Sequence, residues 1–183
     1  MDKLKQSITI LLVSVFIFIA LCFVFNKTIL SHNAFGGNFR GLVEFFMPPH
    51  DFFTPLVTKQ IDISQKGARI RCEYKNVYLG RHAIGLFIGN IFRDVFQKKT
   101  SMRLVLQVEV FLKNKKIFSK KTEGCISSFL GKNEGVILLF YDTPSDLPLN
   151  EPLTLEVEVL NQDAEIVGKY GPAELFVEKW PDL

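Results

Sequence analysis

The chain has 183 residues, with 22 Lys and Arg against 19 Asp and Glu and a formal net charge of +3. That near balance supplies no basic field for a nucleic acid to follow, so global charge argues against nucleic acid as a partner. Hydrophobic residues make up 48% of the chain and 18 residues are phenylalanine, enough for one ordinary core; a single globular domain is expected.

Residues 1–7 form a short head with Lys3 and Lys5, too small to fold by itself. From Ile8 to Phe25 the 18 residues carry no charge and at helical rise cover about 27 Å, close to the roughly 30 Å hydrocarbon core of a bilayer. This predicts one transmembrane helix over 8–25. A secretory signal would have a shorter apolar region of about 7 to 15 residues followed by small side chains. Leu21, Phe23 and Phe25 stand where those small residues are needed, and Leu21 before Cys22 is too bulky for a lipoprotein signal. Cys22 therefore reads as one more apolar residue of the anchor. Cleavage near Asn26, behind the small Ala20, is the competing reading. Lys3, Lys5 and the amino terminus precede the helix, while Lys27 and Arg40 follow it, which tilts the orientation toward an internal N-terminus. A short leader before an apolar segment fits an exported C-terminal domain. The expected location is a bacterial inner membrane, crossed once, with the domain in the periplasm.

Residues 26–54 form a juxtamembrane linker rich in phenylalanine (Phe35, Phe39, Phe45, Phe46, Phe52, Phe53), with a Gly36-Gly37 pair and a Pro48-Pro49 break. A solvated spacer would be polar. Phe39, Leu42, Val43 and Phe46 fall at i, i+3, i+4 and i+7, which predicts a short helix ended by the prolines. Its apolar face is expected to pack back on the domain, or else to meet the membrane interface or a partner's transmembrane helix.

From residue 55 to 183 the pattern alternates with period two, the mark of half-buried strands. In 102–113, Met102, Leu104, Leu106, Val108, Val110 and Leu112 alternate with Arg103, Gln107, Glu109 and Lys113. In 152–160, Leu153, Leu155, Val157 and Val159 alternate with Thr154, Glu156 and Glu158. In 68–75, Ala68, Ile70, Cys72 and Tyr74 alternate with Arg69, Arg71, Glu73 and Lys75. Further strands are expected at 57–63, 83–90, 115–121, 136–141 and 174–179. Lys113-Asn114-Lys115 and Asn161-Gln162-Asp163 read as hairpin turns, and 142–152 as a proline-broken crossing. Ile91 to Gln97 is the best helix, of about two turns. About eight short strands predict an all-β, antiparallel β-sandwich of immunoglobulin-like or C2-like architecture behind the single transmembrane helix. The sole tryptophan, Trp180, lies beyond the last strand, so the Cys, Trp, Cys signature of immunoglobulin domains is missing.

Outside the anchor the cysteines are Cys72 and Cys125. An oxidising compartment would permit them to pair across 52 intervening residues, worth about 4 kcal/mol in the chain-entropy account; two buried thiols are the alternative, and spacing does not choose. No C-x-x-C or H-x-x-x-H spacing occurs, so no metal is expected. No phosphate-cradling glycine loop opens a helix, and no cofactor is expected. Ser127 and Ser128 beside Cys125 could be drawn with His82 as a nucleophile cluster, but no nucleophile elbow accompanies them and polar turn residues are the plainer account. His32 and His50 belong to the linker. Glu156 and Glu158 share a strand face, as solvated side chains commonly do. Gly80, Gly85 and Gly89 admit a bulge, a ligand or a covering aromatic ring. The loop 76–82 is expected to expose Tyr78, Leu79 and Arg81, a mixture enriched at protein interfaces.

Charge is unevenly spread. Residues 98–132 hold nine basic residues (among them Lys98, Lys99 and Lys132) and two acidic, a balance of +7; residues 142–183 hold ten acidic (Asp182 included) and two basic, a balance of −8. On separate sheets these segments would make the domain electrically polar, whereas on neighbouring strands they would pair locally. The basic hairpin, with Lys113, Lys115, Lys116, Lys120 and Lys121, is the expected centre of a partner-binding patch. Anionic lipid headgroups are a competing target. The expected function is non-enzymatic: a membrane-anchored periplasmic module that binds another protein, as an accessory subunit of an envelope assembly or as an immunity-type protein that neutralises a toxin. The alternative is an envelope hydrolase with an unrecognised site.

Overall fold

A computed structural model describes residues 2–31, 37–97, 101–129 and 135–181. Of the positions singled out above, His32, Phe35, Gly36, Lys98, Lys99, Lys132 and Asp182 lie outside the described residues. The chain divides into two compact units, 1–52 with 181–183, and 53–180.

In the first unit, helix α1 spans Asp2–Val24. Its segment Lys5–Val24, 20 residues of mean hydropathy 2.9, is long and apolar enough to cross a membrane. From Ile8 to Val24 every side chain except Cys22 is exposed. A helix apolar all round cannot satisfy that surface in water, which is the property a bilayer-spanning segment needs. The i to i−4 ladder continues through Phe25, whose N–H donates to Leu21 O, into α2 (Asn26–Ser31). Helix α3 runs Gly37–Phe46 and stops before the two prolines. Its buried face is not the one expected: Val43 and Glu44 are buried, whereas Leu42 and Phe46 are exposed.

The second unit is mostly β, built from two four-stranded antiparallel sheets, one of them extended by a three-residue edge strand. Strands β1 (Val57–Ile61), β2 (Arg69–Lys75) and β3 (Arg81–Phe87) precede the short helix α4 (Ile91–Phe96). Then come β4 (Val105–Leu112), β5 (Lys115–Lys121), β6 (Ser127–Phe129), β7 (Gly135–Asp142), β8 (Pro152–Asn161), helix α5 (Ala164–Tyr170) and β9 (Ala173–Lys179). The sheet orders are β1-β9-β3-β7-β6 and β2-β8-β4-β5. Both sheets feed one apolar core, with Ile84, Leu86, Leu175 and Val177 from the first and Leu106, Val108, Leu155 and Val157 from the second.

Local chemistry explains the boundaries. Lys113 and Asn114, at φ +48° and +66°, make the two-residue turn between β4 and β5, the left-handed pair that matches strand twist. Strand β4 starts at Val105 rather than Met102, because side chains take over pairing before it: Arg103 N–H donates to Asp163 Oδ2 at 2.9 Å, and Asn161 Nδ2 donates to Arg103 O at 2.7 Å. Strand β3 ends at Phe87, three residues early, where Gly89 at φ +34° turns the chain into α4. Gly85 lies opposite Phe176 on β9, and a methyl group there would collide with the Phe176 ring and with Val136 O. The gap at this glycine is thus filled by a phenylalanine of the same body.

Two expectations fail. Asn161-Gln162-Asp163 is not a hairpin turn: Asp163 caps α5, accepting from Ile166 N–H at 3.3 Å, and α5 carries the chain from β8 in one sheet to β9 in the other. Residues favoured in turns are also favoured as helix caps, and a hairpin cannot join strands of different sheets. The stretch around Ser127 and Ser128 is not a turn but β6, in register with β7 through Ser127↔Ile137.

At one end of the core the two sheets are clasped by polar groups. The hydroxyls of Tyr74 on β2 and Tyr141 on β7 are hydrogen-bonded to each other in the buried interior. Burial raises both phenols above their ordinary range, so the pair stays protonated and neutral. His82 stacks on Tyr141 at 5.2 Å and Phe118 tilts against it at 5.3 Å. Removing one hydroxyl would strand the other, at a cost of about 1–3 kcal/mol, whereas removing both takes away the desolvation penalty as well. Tyr141→Phe is therefore expected to lower the denaturant midpoint more than the double change Tyr74→Phe with Tyr141→Phe; an equal or larger loss in the double variant would refute the clasp.

Glu178 on β9 is also buried, and burial lifts its carboxyl from 4.5 to about 7. The raised value means that folding favours the protonated form. Its stabilising contribution is complete below about 4.5, the unfolded value, and is lost as pH rises through about 7. Glu178→Gln should match the parent chain near the acid end and exceed it in thermal midpoint above neutrality; parallel pH profiles for the two proteins would contradict the assignment.

Candidate interaction surface

The outward face of the sheet β2-β8-β4-β5 carries three ion pairs, and strand register arranges them. Because β8 lies between β2 and β4, the outward side chains of three strands form cross-sheet rows. One row holds Arg71, Glu156 and Glu109, with Ser119 on β5; the next holds Arg69, Glu158 and Gln107, with Lys121. Glu156 and Glu109 stand directly opposite each other, which alone would be repulsive. Cations on both sides relieve it: Arg71 reaches Glu156 at 3.4 Å and Lys116 reaches Glu109 at 2.7 Å. Arg69 meets Glu158 at 3.0 Å in the second row.

Glu109 is the best satisfied of these carboxylates. The hydrogen bond from Lys116 holds it below the ordinary carboxylate range, and a second bond from Ser119 Oγ at 3.2 Å adds to it. Ser119 in turn accepts from Gln107 Nε2 at 2.9 Å. The face is dished, with an open depression of about 480 Å³ lined by Arg69, Arg71, Gln107, Glu109, Glu156 and Glu158. Its rim is charged and fixed by ion pairs; such a surface offers complementarity to another charged surface more than an apolar pocket for a small ligand.

The basic hairpin splits into paired and unpaired lysines. Lys113 meets Glu151 at 3.4 Å and Lys116 meets Glu109. Lys115, Lys120 and Lys121 are exposed on β5, at the sheet edge, and no ion pair forms at them among the described residues. The large charge asymmetry of the sequence therefore does not separate onto opposite sheets: β4 of the basic segment and β8 of the acidic one are neighbours, with the acids of β8 paired to Arg69 and Arg71 of β2 and with Lys113 paired to Glu151. Of these three lysines Lys121 shares the outward face with Gln107, whereas Lys115 and Lys120 oppose the inward residues Leu112 and Val108.

The loop before β3 does not present the expected mixture. Tyr78 and Leu79 are buried, at 1% and 6% exposure. Arg81 is half-buried, 3.3 Å from Asp142, with its guanidinium over the Phe140 ring. Arg81 belongs to the five-stranded sheet and the lysines to the other, so the structure does not join them in one site. A single sequence shows the composition of a loop and not which way it folds, so the burial of this aromatic and leucine has no local signal.

The nucleophile cluster does not assemble either. Ser127 on β6 and Gly85 on β3 both oppose Ile137 on β7, whereas His82 opposes Tyr141, four residues further along and about 13 Å away at strand rise. His82 is buried, its Nδ1 3.0 Å from Gly80 O. Cys125 Sγ lies 3.0 Å from Ser127 O, and burial raises its thiol, which keeps it in the poorly nucleophilic form. Cys72, on β2 of the other sheet, is likewise raised by burial, and both thiols are free; the pairing of Cys72 with Cys125 is not made. No group of three His, Cys, Asp or Glu side chains among the described residues is placed to hold a metal ion.

The Arg69, Arg71, Gln107 and Glu109 contributions to the charged face escaped sequence reading, although each strand showed its polar positions. The missing information was strand order, without which three alternating strands cannot be aligned into rows.

No family model matches the chain, and no curated protein does. A solved structure of a protein from Sulfurospirillum deleyianum is similar over 68% of this chain and 96% of that chain, at 10% identity and a TM-score of 0.49.

Proposed function

We propose that this chain is a non-enzymatic, membrane-anchored binding module that holds its β body in the periplasm, and that its partner is another protein with an acidic face. We read the two-sheet body as a sandwich of immunoglobulin-like or C2-like type. The observation that carries the reading is the β5 edge, where Lys115, Lys120 and Lys121 stand exposed, Lys121 on the ion-paired face and Lys115 and Lys120 on the other side of the strand. Unneutralised charge at the border of a preorganised ion-paired surface steers an oppositely charged partner and sets its orientation. Two roles fit, an accessory subunit of an envelope assembly and an immunity-type protein that neutralises a toxin.

The test compares material captured from solubilised membranes by three proteins: the full chain, a body beginning at Leu56, and the full chain with Lys115, Lys120 and Lys121 changed to Glu. A protein retained by the first, and lost from the third without loss of folding, is the expected outcome, with retention weakening as salt rises. Equal capture by the parent and the triple variant would refute the role given to β5. Retention by the Leu56 body favours the immunity-type role, whereas its loss favours an assembly held through the anchor.

A further inference from the structure

Helix α3 is arranged inside out for a helix in water. Its one acidic residue, Glu44, is buried at 1% exposure, while Leu42 and Phe46 are 50% and 68% exposed. A solvent-facing amphipathic helix would turn these the other way.

Within the same unit, a ring contact ties α3 to α1, and polar contacts tie the residues after α3 to α2. The rings of Phe18 and Phe39 lie 6.0 Å apart. At the other end, Asn26 Nδ2 donates to Met47 O at 2.9 Å, and next to it Lys27 Nζ meets Asp51 Oδ2 at 2.5 Å. Phe18 precedes Asn26 by eight residues, and Phe39 precedes Met47 by eight. The two contacts therefore match in spacing, and α3, packed chiefly on α2, runs in the same sense as the segment from Phe18 to Asn26.

That alignment sets a depth. The charge-free run that begins at Ile8 ends at Phe25, so Asn26 marks the edge of the hydrocarbon, and Phe18 lies about 12 Å inside it, within a half-bilayer of about 15 Å. Phe39 is beside Phe18. The start of α3 is consequently at acyl depth and its end at the headgroups, where Lys27 and Asp51 pair.

We infer that α3 is a second membrane element, a half-inserted helix packed on α2 and reaching Phe18 of α1, with Leu42 and Phe46 in lipid and Glu44 turned away from it. The occupant of its outward face is the acyl chains of the bilayer leaflet that α1 exits. The inference rests on α1 crossing the membrane and goes beyond the protein-binding role of the β body. It makes the anchor a helical pair whose shape is complete only in lipid.

Tryptophan scanning separates the two ideas. In a Trp180→Phe background, the full chain is reconstituted into phosphatidylcholine and phosphatidylglycerol vesicles with a single tryptophan, as Ile17→Trp in α1 or Leu42→Trp in α3. Both fluorophores are expected to emit at shorter wavelength than in water, to lose intensity in vesicles whose acyl chains are brominated, and to resist aqueous iodide. Bromine quenching of Ile17→Trp with iodide quenching of Leu42→Trp would overturn the inference and leave the anchor intact. Iodide quenching of both would overturn the anchor and the inference together. As a check against local misfolding, Leu42→Cys in a chain lacking Cys22, Cys72 and Cys125 should resist a membrane-impermeant maleimide in vesicles and react in detergent. Equal reaction in both would contradict the insertion.

Discussion

Strand β8 has a hydrogen-bonded neighbour on each side, and the register it keeps with β2 and β4 governs both faces of that sheet. With Val157 opposite Ile70 and Val108, the apolar residues of three strands point together into the core. A slip by one position would send the whole set to the solvent and bring Glu156 and Glu158 inside, at a cost no pairing elsewhere could offset. The same sheet lines Glu158 and Glu156 up against Arg69 and Arg71 on one flank and Glu109 against Lys116 of β5 on the other. Core formation and surface electrostatics are one decision in this sheet.

That coupling limits what the surface has to offer a partner. Most outward charge is spent inside the rows, where exposed ion pairs contribute little to stability but hold side chains in a fixed pattern. Exposed lysines outside the rows lie on the two edge strands of this sheet, Lys115, Lys120 and Lys121 on β5 and Lys75 on β2. Lysines on an edge strand also discourage pairing with the edge of another copy, and this protective role is compatible with a steering role, since both need the charge exposed and uncompensated. The interior beside β5 is held differently, by the hydroxyl clasp of Tyr74 and Tyr141, where polar atoms from each sheet satisfy each other.

The strands with strong alternation were legible in the sequence because burial of one face imposes period two: β4 and β8 are found within a few residues, and β5 at the expected limits. The turn at Lys113 and Asn114 and the short helix at Ile91 were readable from local chemistry as well. What was not legible depends on strand order or on chain direction outside regular elements. Three residues of β6 are too few to show a period, Asp163 signals a cap and a turn equally well, and nothing local says that Tyr78 and Leu79 fold inward. The charged face illustrates the limit: Arg71, Glu156 and Glu109 are each visible as outward positions, but they become a row only once β8 is known to lie between β2 and β4. Helix α3 could be found from its spacing, yet its buried Glu44 and exposed Leu42 invert the face that hydrophobic periodicity selects.

The register of β8 against β4 is open to direct measurement by cysteine cross-linking in a chain from which Cys22, Cys72 and Cys125 have been removed. Glu109 and Glu156 face each other and their α-carbons fall within disulfide reach, whereas Glu109 and Glu158 are displaced diagonally by two positions. Mild oxidation should join Glu109→Cys to Glu156→Cys rapidly and Glu109→Cys to Glu158→Cys slowly or not at all. The reverse preference would place the strands in another register and dismantle the charged rows along with the core they accompany.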